Sequence, residues 1–345
     1  MRPLLEISRS AFRANLAAVE ARIAPSTLML VTKDDAYGHG LAWSAETAAD
    51  AGVRWFGSYD VHSAVRIRDV LDSRGRVFAW ATSEDAEIAE AILHDVDLGV
   101  GTLEYLRRVV AVARRLGRPA RVHLKVDTGL HRNGLRPEDW PAAVREARDA
   151  EKAGTILLVG VWSHIAEASD AEDDESQAVF LRAVDEVRAT GPAPDAVHLT
   201  ASAAAWWRPE LRGSLSRVGA FCYGIRSADG PDLVGIRPIA TLIASVEEVS
   251  DGRARIGIGS LDGLASTLVG APAGSPAGTT TVREIALAHA VVDAWPSASV
   301  GDRVRLFGPG EAGEPSATDL AERIGTVGEE ILTRLSPRVQ RLLID

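Results

Sequence analysis

Eight short β-branched or apolar runs recur between residues 28 and 221, separated by stretches with apolar residues at i, i+3, i+4 spacing. The runs are 28–32, 53–59, 77–80, 96–100, 122–127, 156–164, 196–200 and 216–221. Helical spacing falls at 10–22, 60–72, 83–94, 102–116, 139–152 and 175–190. Ser83, ahead of Glu84 and Asp85, and Thr102, ahead of Glu104, read as helix starts, while Gly117 and Gly154 read as stops. Eight strands alternating with helices over this length suit an α/β fold, a (β/α)8 barrel. An open doubly wound sheet is the rival, and the absence of a G-x-G-x-x-G after the first strand speaks against it.

The pattern changes near residue 235. Strands are expected at 239–249, 253–258, 284–292 and 304–307 with no long helix between them, a small-residue loop at 271–281, and one helix from Ser316. The expected division is therefore a barrel over 1–235 and a C-terminal, mostly β domain over 236–345.

A formal net charge of −10 argues against nucleic acid or an anionic membrane as a partner, since both select a positive surface. No apolar run approaches the roughly 20 residues of a membrane span. The opening MRPLLEISRSAF lacks the apolar core of a secretion signal, so a cytoplasmic location is the expectation. Cys222 is the sole cysteine, which excludes an intrachain disulfide and a structural Cys-type zinc site, and no metal is expected. Of 38 Lys and Arg residues only three are lysine: Lys33, Lys125 and Lys152. Arginine forms no imine, so imine chemistry has three candidate positions.

Barrel enzymes gather chemistry where strands end. The candidates at those ends are Lys33, the Lys125–Asp127 pair, His164, Ser202 and Arg217. Singly, each has an ordinary reading. A lysine past a strand points to water, a histidine ending a strand is a satisfied core group, and an arginine in a strand bridges a carboxylate. Together at successive strand ends they point to one site.

The segment Lys33-Asp-Asp-Ala-Tyr-Gly-His-Gly40 resembles the cofactor-lysine motif of the alanine racemases, pyridoxal-phosphate enzymes built from a barrel and a β domain. Further segments resemble the family's later motifs, in order: Lys125–Gly134 (KVDTGLHRNG), Ser163-His164 in VWSHIAEAS, Ser202 in HLTASAAAW, Arg217–Gly224 (RVGAFCYG), Gly301–Gly310 and Ala321–Thr326. The resemblance implies pyridoxal 5′-phosphate, an amino-acid substrate and a homodimer. It implies Lys33 as the imine lysine and one-face base, and Tyr37, Ser202 and the Gly219–Ala220 amides on the cofactor phosphate. His164 would lie against the pyridine ring. Arg132 would donate to the phenolic oxygen, supported by Lys125, which can be carbamylated in the family. Arg217 would face the pyridine nitrogen. A protonated arginine there donates and disfavours ring protonation, which suits proton removal and return better than transamination.

The sequence departs from the family on the substrate side. Family members take a second base, a tyrosine, from the partner subunit's β domain. The four tyrosines here are Tyr37, Tyr59, Tyr105 and Tyr223, so residues 236–345 hold none. Residues 249–259 run straight through where the tyrosine-bearing hairpin is expected. Ser260 stands at the entrance tyrosine, Glu329 at a late tyrosine near the phosphate, and Leu287 near a methionine of the carboxylate region. Asp34 and Ala201 also replace the usual residues. His289 is the one histidine of this domain, and its place in an apolar stretch favours a structural role. Because the cofactor side is intact, altered function is favoured over decay. The expected activity is racemisation or epimerisation of an amino acid other than alanine. The alternatives are a one-base lyase, decarboxylase or aldolase-type transferase, and a non-catalytic cofactor binder.

Overall fold

The computed structural model describes residues 2–345. It begins with strand β1 (Leu4–Ser8), unanticipated from the sequence, and helix Arg9–Ile23. Eight parallel strands follow: β2 (Thr27–Val31), β3 (Trp55–Ser58), β4 (Arg76–Ala79), β5 (Val96–Val100), β6 (Ala120–Lys125), β7 (Ile156–Trp162), β8 (Ala196–His198) and β9 (Leu215–Val218). They form one sheet in the order β8-β7-β6-β5-β4-β3-β2-β9. Between β8 and β9 the ladder gives way to single bonds. Arg217 N–H donates to Thr200 O at 3.3 Å, and Val197 N–H donates to Ser214 Oγ at 2.8 Å. The sheet is thus a nearly closed barrel, as the alternation implies.

Local chemistry sets the helix limits. Thr102 accepts from Tyr105 N–H, and Gly117 closes that helix in the left-handed conformation at φ 64°. The helix expected from Ser83 is Asp85–Leu93, capped by Glu84 with Glu87 reaching back to its N–H. Helix Leu41–Asp50, built largely of small residues, went unrecognised in the sequence. Inside the barrel Met29, Phe78, Trp162, Ala196 and Leu215 pack together with Trp55 and Trp80 against them. Rings this large need gaps in neighbouring strands. A Cβ on Gly99 would meet Phe78 Cζ at 3.0 Å, and one on Gly160 would meet His123 Nδ1 at 2.1 Å. No described helix is long and apolar enough to cross a membrane.

A second compact unit joins the first 18 residues, Asp34–Gly40 and the chain from Ala220 on; the remainder is the barrel unit. Its strands are β1, β10 (Ala240–Ser250), β11 (Arg253–Ile256), β12 (Pro272–Ser275), β13 (Gly278–Ile285), β14 (Ala290–Asp293), β15 (Arg303–Phe307) and β16 (Gln340–Ile344). They run in the order β11-β14-β13-β12-β15-β10-β1-β16. β1 pairs antiparallel with β10 and parallel with β16.

Two expectations fail here. Residues 271–281, read as a loop for their small side chains, form the β12–β13 hairpin, with Ser275 Oγ donating to Gly278 O at 2.7 Å across its turn. The single strand expected over 284–292 is two, β13 and β14, joined where Ala286 N–H donates to His289 O at 2.9 Å. His289 therefore sits at a turn, half-buried, and not in a strand. β10 and β11 are linked by two residues, Asp251 and Gly252, at φ 47° and 71°. Two positive φ values make this the shortest hairpin connection, the type I′ turn, which carries no side chain beyond its tip.

Candidate active site

Lys33 follows β2 with only Thr32 between, and is half-buried. Asp34, Asp35, Ala36 and Tyr37 then take φ values of 55°, 53°, 56° and 54°, a turn of left-handed helix. Each such residue costs about 1–2 kcal/mol, so a run of four persists only where its surroundings over-determine it. Gly38, His39 and Gly40 N–H donate back to the carbonyls of Asp34, Ala36 and Asp35 at 2.8, 3.1 and 2.8 Å. His39 Nδ1–H adds a bond to Ala36 O at 2.8 Å. Stored strain directly after the candidate cofactor lysine marks the segment as built for a task and not for stability.

Within the barrel unit, Lys33, Lys125, Arg132 and Arg217 all lie close enough to His164 to act on it electrostatically. Burial first, then these four cations, pull its imidazole down to about 3, so it is neutral at physiological pH. Burial, then Arg217 and Arg132, lower the Lys125 ammonium to about 8. Lys125 Nζ sits 4.6 Å from the Trp162 ring centroid, within cation–π range. Arg132 is exposed, on the loop after β6, where Asp127 accepts from Gly129 N–H and His131 N–H at 3.1 Å each.

Arg217 is 5% exposed. Its NH1 donates to His198 Nδ1 at 2.9 Å and His198 O at 3.0 Å. Its NH2 donates to Ser163 O at 2.8 Å, Leu199 O at 2.9 Å and His164 Nδ1 at 3.2 Å. Nε–H has no acceptor among the described residues and is the donor left for a ligand. Burial lowers the guanidinium to about 9, against the pull of Glu167, so it remains charged at neutral pH. On the strand-end loops nearby, Ser202 Oγ accepts from Gly219 N–H at 3.2 Å.

Tyr37 and Ala220 lie in the second compact unit, where the Ala220 N–H donates to the Tyr37 hydroxyl. Burial and then the Glu329 carboxylate push that hydroxyl well above its ordinary value, so it stays a protonated donor. The Tyr37 ring centroid is 5.2 Å from that of Tyr223. Sequence reasoning missed Glu167, whose carboxylate accepts from Ala204 N–H at 2.8 Å and neutralises part of the cluster. It also missed Asp97, His123 and His198 inside the barrel. The available signal was three polar residues in the apolar strands VDLGV, VHLK and AVH.

This donor set fits pyridoxal 5′-phosphate. Four cations face two carboxylates, Glu167 and Asp127, which leaves net positive charge for a phosphate and an acidic ring hydroxyl, and a buried guanidinium keeps one N–H for a ring nitrogen. Residues 7–227 match the family Alanine racemase, N-terminal domain, and residues 250–343 match Alanine racemase, C-terminal domain. An alanine racemase of Thermobifida fusca is 35% identical, covering 97% of this chain and 96% of that one. Among solved structures, alanine racemase from D-cycloserine-producing Streptomyces lavendulae superposes with a TM-score of 0.93 at 33% identity, covering 100% of this chain and 97% of that one. Alanine racemase from Streptomyces coelicolor A3(2) gives 0.94 at 31%, covering 100% and 98%. The chain belongs to the alanine racemase family of pyridoxal 5′-phosphate-dependent, racemase-type enzymes.

Proposed function

We propose that this enzyme moves the α-proton of an amino acid other than alanine, with Lys33 as cofactor lysine and one-face base. The carrying observation is that residues 236–345 contain no tyrosine while Lys33, Tyr37, His164, Ser202 and Arg217 are all present. Bound pyridoxal 5′-phosphate draws electrons from the substrate α-carbon and makes its proton acidic. Lys33 Nζ takes that proton and returns it. Arg217 Nε–H would donate to the ring nitrogen and disfavour its protonation, while Arg132 would donate to the phenolic oxygen. As the family resemblance implies, Ser202, Gly219, Ala220 and Tyr37 would hold the phosphate, and His164, held neutral, would lie against the ring. By the family resemblance, the short Asp251–Gly252 turn and Ser260 stand in place of bulkier groups, and their loss is expected to enlarge the mouth, which favours a substrate larger than alanine. Incubation of the holoenzyme with an amino-acid panel in D2O, following exchange, chirality and mass together, tests the reading; exchange with alanine alone would overturn the substrate assignment.

The missing tyrosine also supports a second reading, a one-base lyase or decarboxylase. A change in product mass in the same panel distinguishes it.

Glu329 sets a carboxylate beside the Tyr37 hydroxyl. A phosphate held by Tyr37 would feel that charge, a repulsion of order 1 kcal/mol per unit charge near 4 Å in water. Glu329→Gln is expected to tighten pyridoxal phosphate binding by about twofold to tenfold. Titration of apoprotein followed by absorbance checks this, and weaker binding would contradict it.

The working unit is proposed to be a homodimer. Leu261 and Leu287 are 52% and 68% exposed. Their backbones are tied together, Ser260 N–H to Ala286 O at 2.9 Å and Leu261 N–H to Leu287 O at 3.0 Å. The two leucines form an exposed apolar pair, which supports a protomer contact on this face. The double variant Leu261→Glu, Leu287→Glu is expected to raise the dimer dissociation constant at least about tenfold. A wild-type chain that sediments as a fully active monomer at micromolar concentration would refute the dimer.

A further inference from the structure

The barrel interior carries an uninterrupted hydrogen-bonded chain that ends on Arg217. Asp97 in β5 is fully buried, and its Oδ1 is held by Arg76 and by Arg121 Nε, the latter at 2.8 Å. Asp97 Oδ2 lies 3.1 Å from His123 Nε2. His123 Nδ1 lies 2.9 Å from His198 Nε2, and His198 Nδ1 lies 2.9 Å from Arg217 NH1. Both histidines are fully buried. Trp162 stacks on His198 at 5.8 Å and 10°, and Phe78 meets the His198 and His123 rings at 5.2 and 4.7 Å.

The two ends of the chain each permit one hydrogen-bonding role. A guanidinium only donates, and a carboxylate only accepts. His198 Nδ1 must therefore accept from Arg217, which puts the His198 proton on Nε2. That proton points at His123 Nδ1, which must accept in turn. The His123 proton then sits on Nε2 and is donated to Asp97. One assignment satisfies all three bonds, and any other sets two donors or two acceptors face to face in a dry, aromatic-walled space. Burial disfavours a charge on either imidazole. Against its own burial, Asp97 is held down to about 2 by His123, Arg76 and Arg121, so its accepting end is secure.

We propose that Asp97, His123 and His198 are positioning residues that lock Arg217 as a fixed donor by imposing one direction on this chain. The consequence for chemistry rests on the reading above that Arg217 Nε–H meets the cofactor's ring nitrogen. A guanidinium pinned through NH1 and NH2 cannot swing to let that nitrogen take a proton. Gly160 belongs to the device, because only a residue without Cβ leaves space for the His123 ring.

Histidine-selective 15N NMR of the wild-type holoenzyme and apoprotein reads the chain directly. The expected result is that both rings stay neutral and carry their proton on Nε2 from pH 6 to 9, with a nitrogen–nitrogen coupling across the His198–His123 bond. A proton on Nδ1 of either ring, or a doubly protonated ring in that range, would overturn the proposal. A second measurement reads half-transamination, the conversion to pyridoxamine phosphate and oxo acid, relative to α-proton exchange. His198→Leu removes the acceptor and is expected to raise that ratio on the order of tenfold, the effect of about one lost hydrogen bond to a charged group. His198→Asn, whose amide oxygen takes the place of Nδ1, is expected to restore it to within about threefold. Equal ratios in the two variants would overturn the positioning role. If Arg217→Glu alone leaves the ratio unchanged, the reading of Arg217 fails while the NMR result stands.

Discussion

Lys33→Ala is expected to lose the visible absorption of bound pyridoxal phosphate and to lower α-proton exchange by at least the 10²–10⁴-fold that a positioned acid–base group contributes. The argument is one of elimination joined to geometry. Of the three lysines, Lys152 is on the helix Trp140–Lys152 with a side chain 75% exposed, beside Asp149. Lys125 is buried at the end of β6 under the influence of Arg217 and Arg132. Lys33 alone opens a strained left-handed turn at a barrel strand end. Borohydride reduction followed by peptide mass spectrometry is expected to place the pyridoxyl group on the Lys33 peptide. Label on Lys125 or Lys152 would mean that the motif has been matched to the wrong segment.

What the sequence made legible follows from where the signal lay. The barrel strands are contiguous apolar runs and most of their helices are amphipathic, so element type and order could be read from spacing except at the small-residue helix Leu41–Asp50. The residues around His164 could be named because each stands in a motif at a strand end. The chain Asp97–His123–His198 could not, because a polar residue within a buried strand has no periodicity that separates a functional group from a satisfied one. Only three-dimensional proximity, across residues 97, 123 and 198, joins them. β1 was missed for a similar reason, since its partners are β10 and β16, more than 200 residues away. The β12–β13 hairpin was missed because Ala, Pro and Gly at 271–278 weaken β propensity, yet the flanking strands supply its hydrogen bonds. The left-handed turn was unreadable, because only its two aspartates tolerate such φ values.

The second large expected effect concerns alanine itself. Inverting an α-carbon by two bases needs a proton-transferring group on each face of that carbon. Lys33 can serve one face. The family resemblance assigns the other to a β-domain tyrosine, and here β10 turns into β11 through Asp251 and Gly252 with no tyrosine anywhere in residues 236–345. His289, half-buried at the β13–β14 turn, is marked as a replacement by no motif. Alanine racemisation is therefore expected to run about 10²–10⁴-fold below that of a tyrosine-bearing relative, even with the cofactor fully bound. Exchange through Lys33 does not need the second base, so one enantiomer keeps its reactivity while the other is inert. The decisive measurement is each alanine enantiomer incubated separately in D2O with holoenzyme, beside a tyrosine-bearing family member. Deuterium entering one enantiomer with little inversion is the result expected here, whereas interconversion at a rate comparable to that control would contradict it.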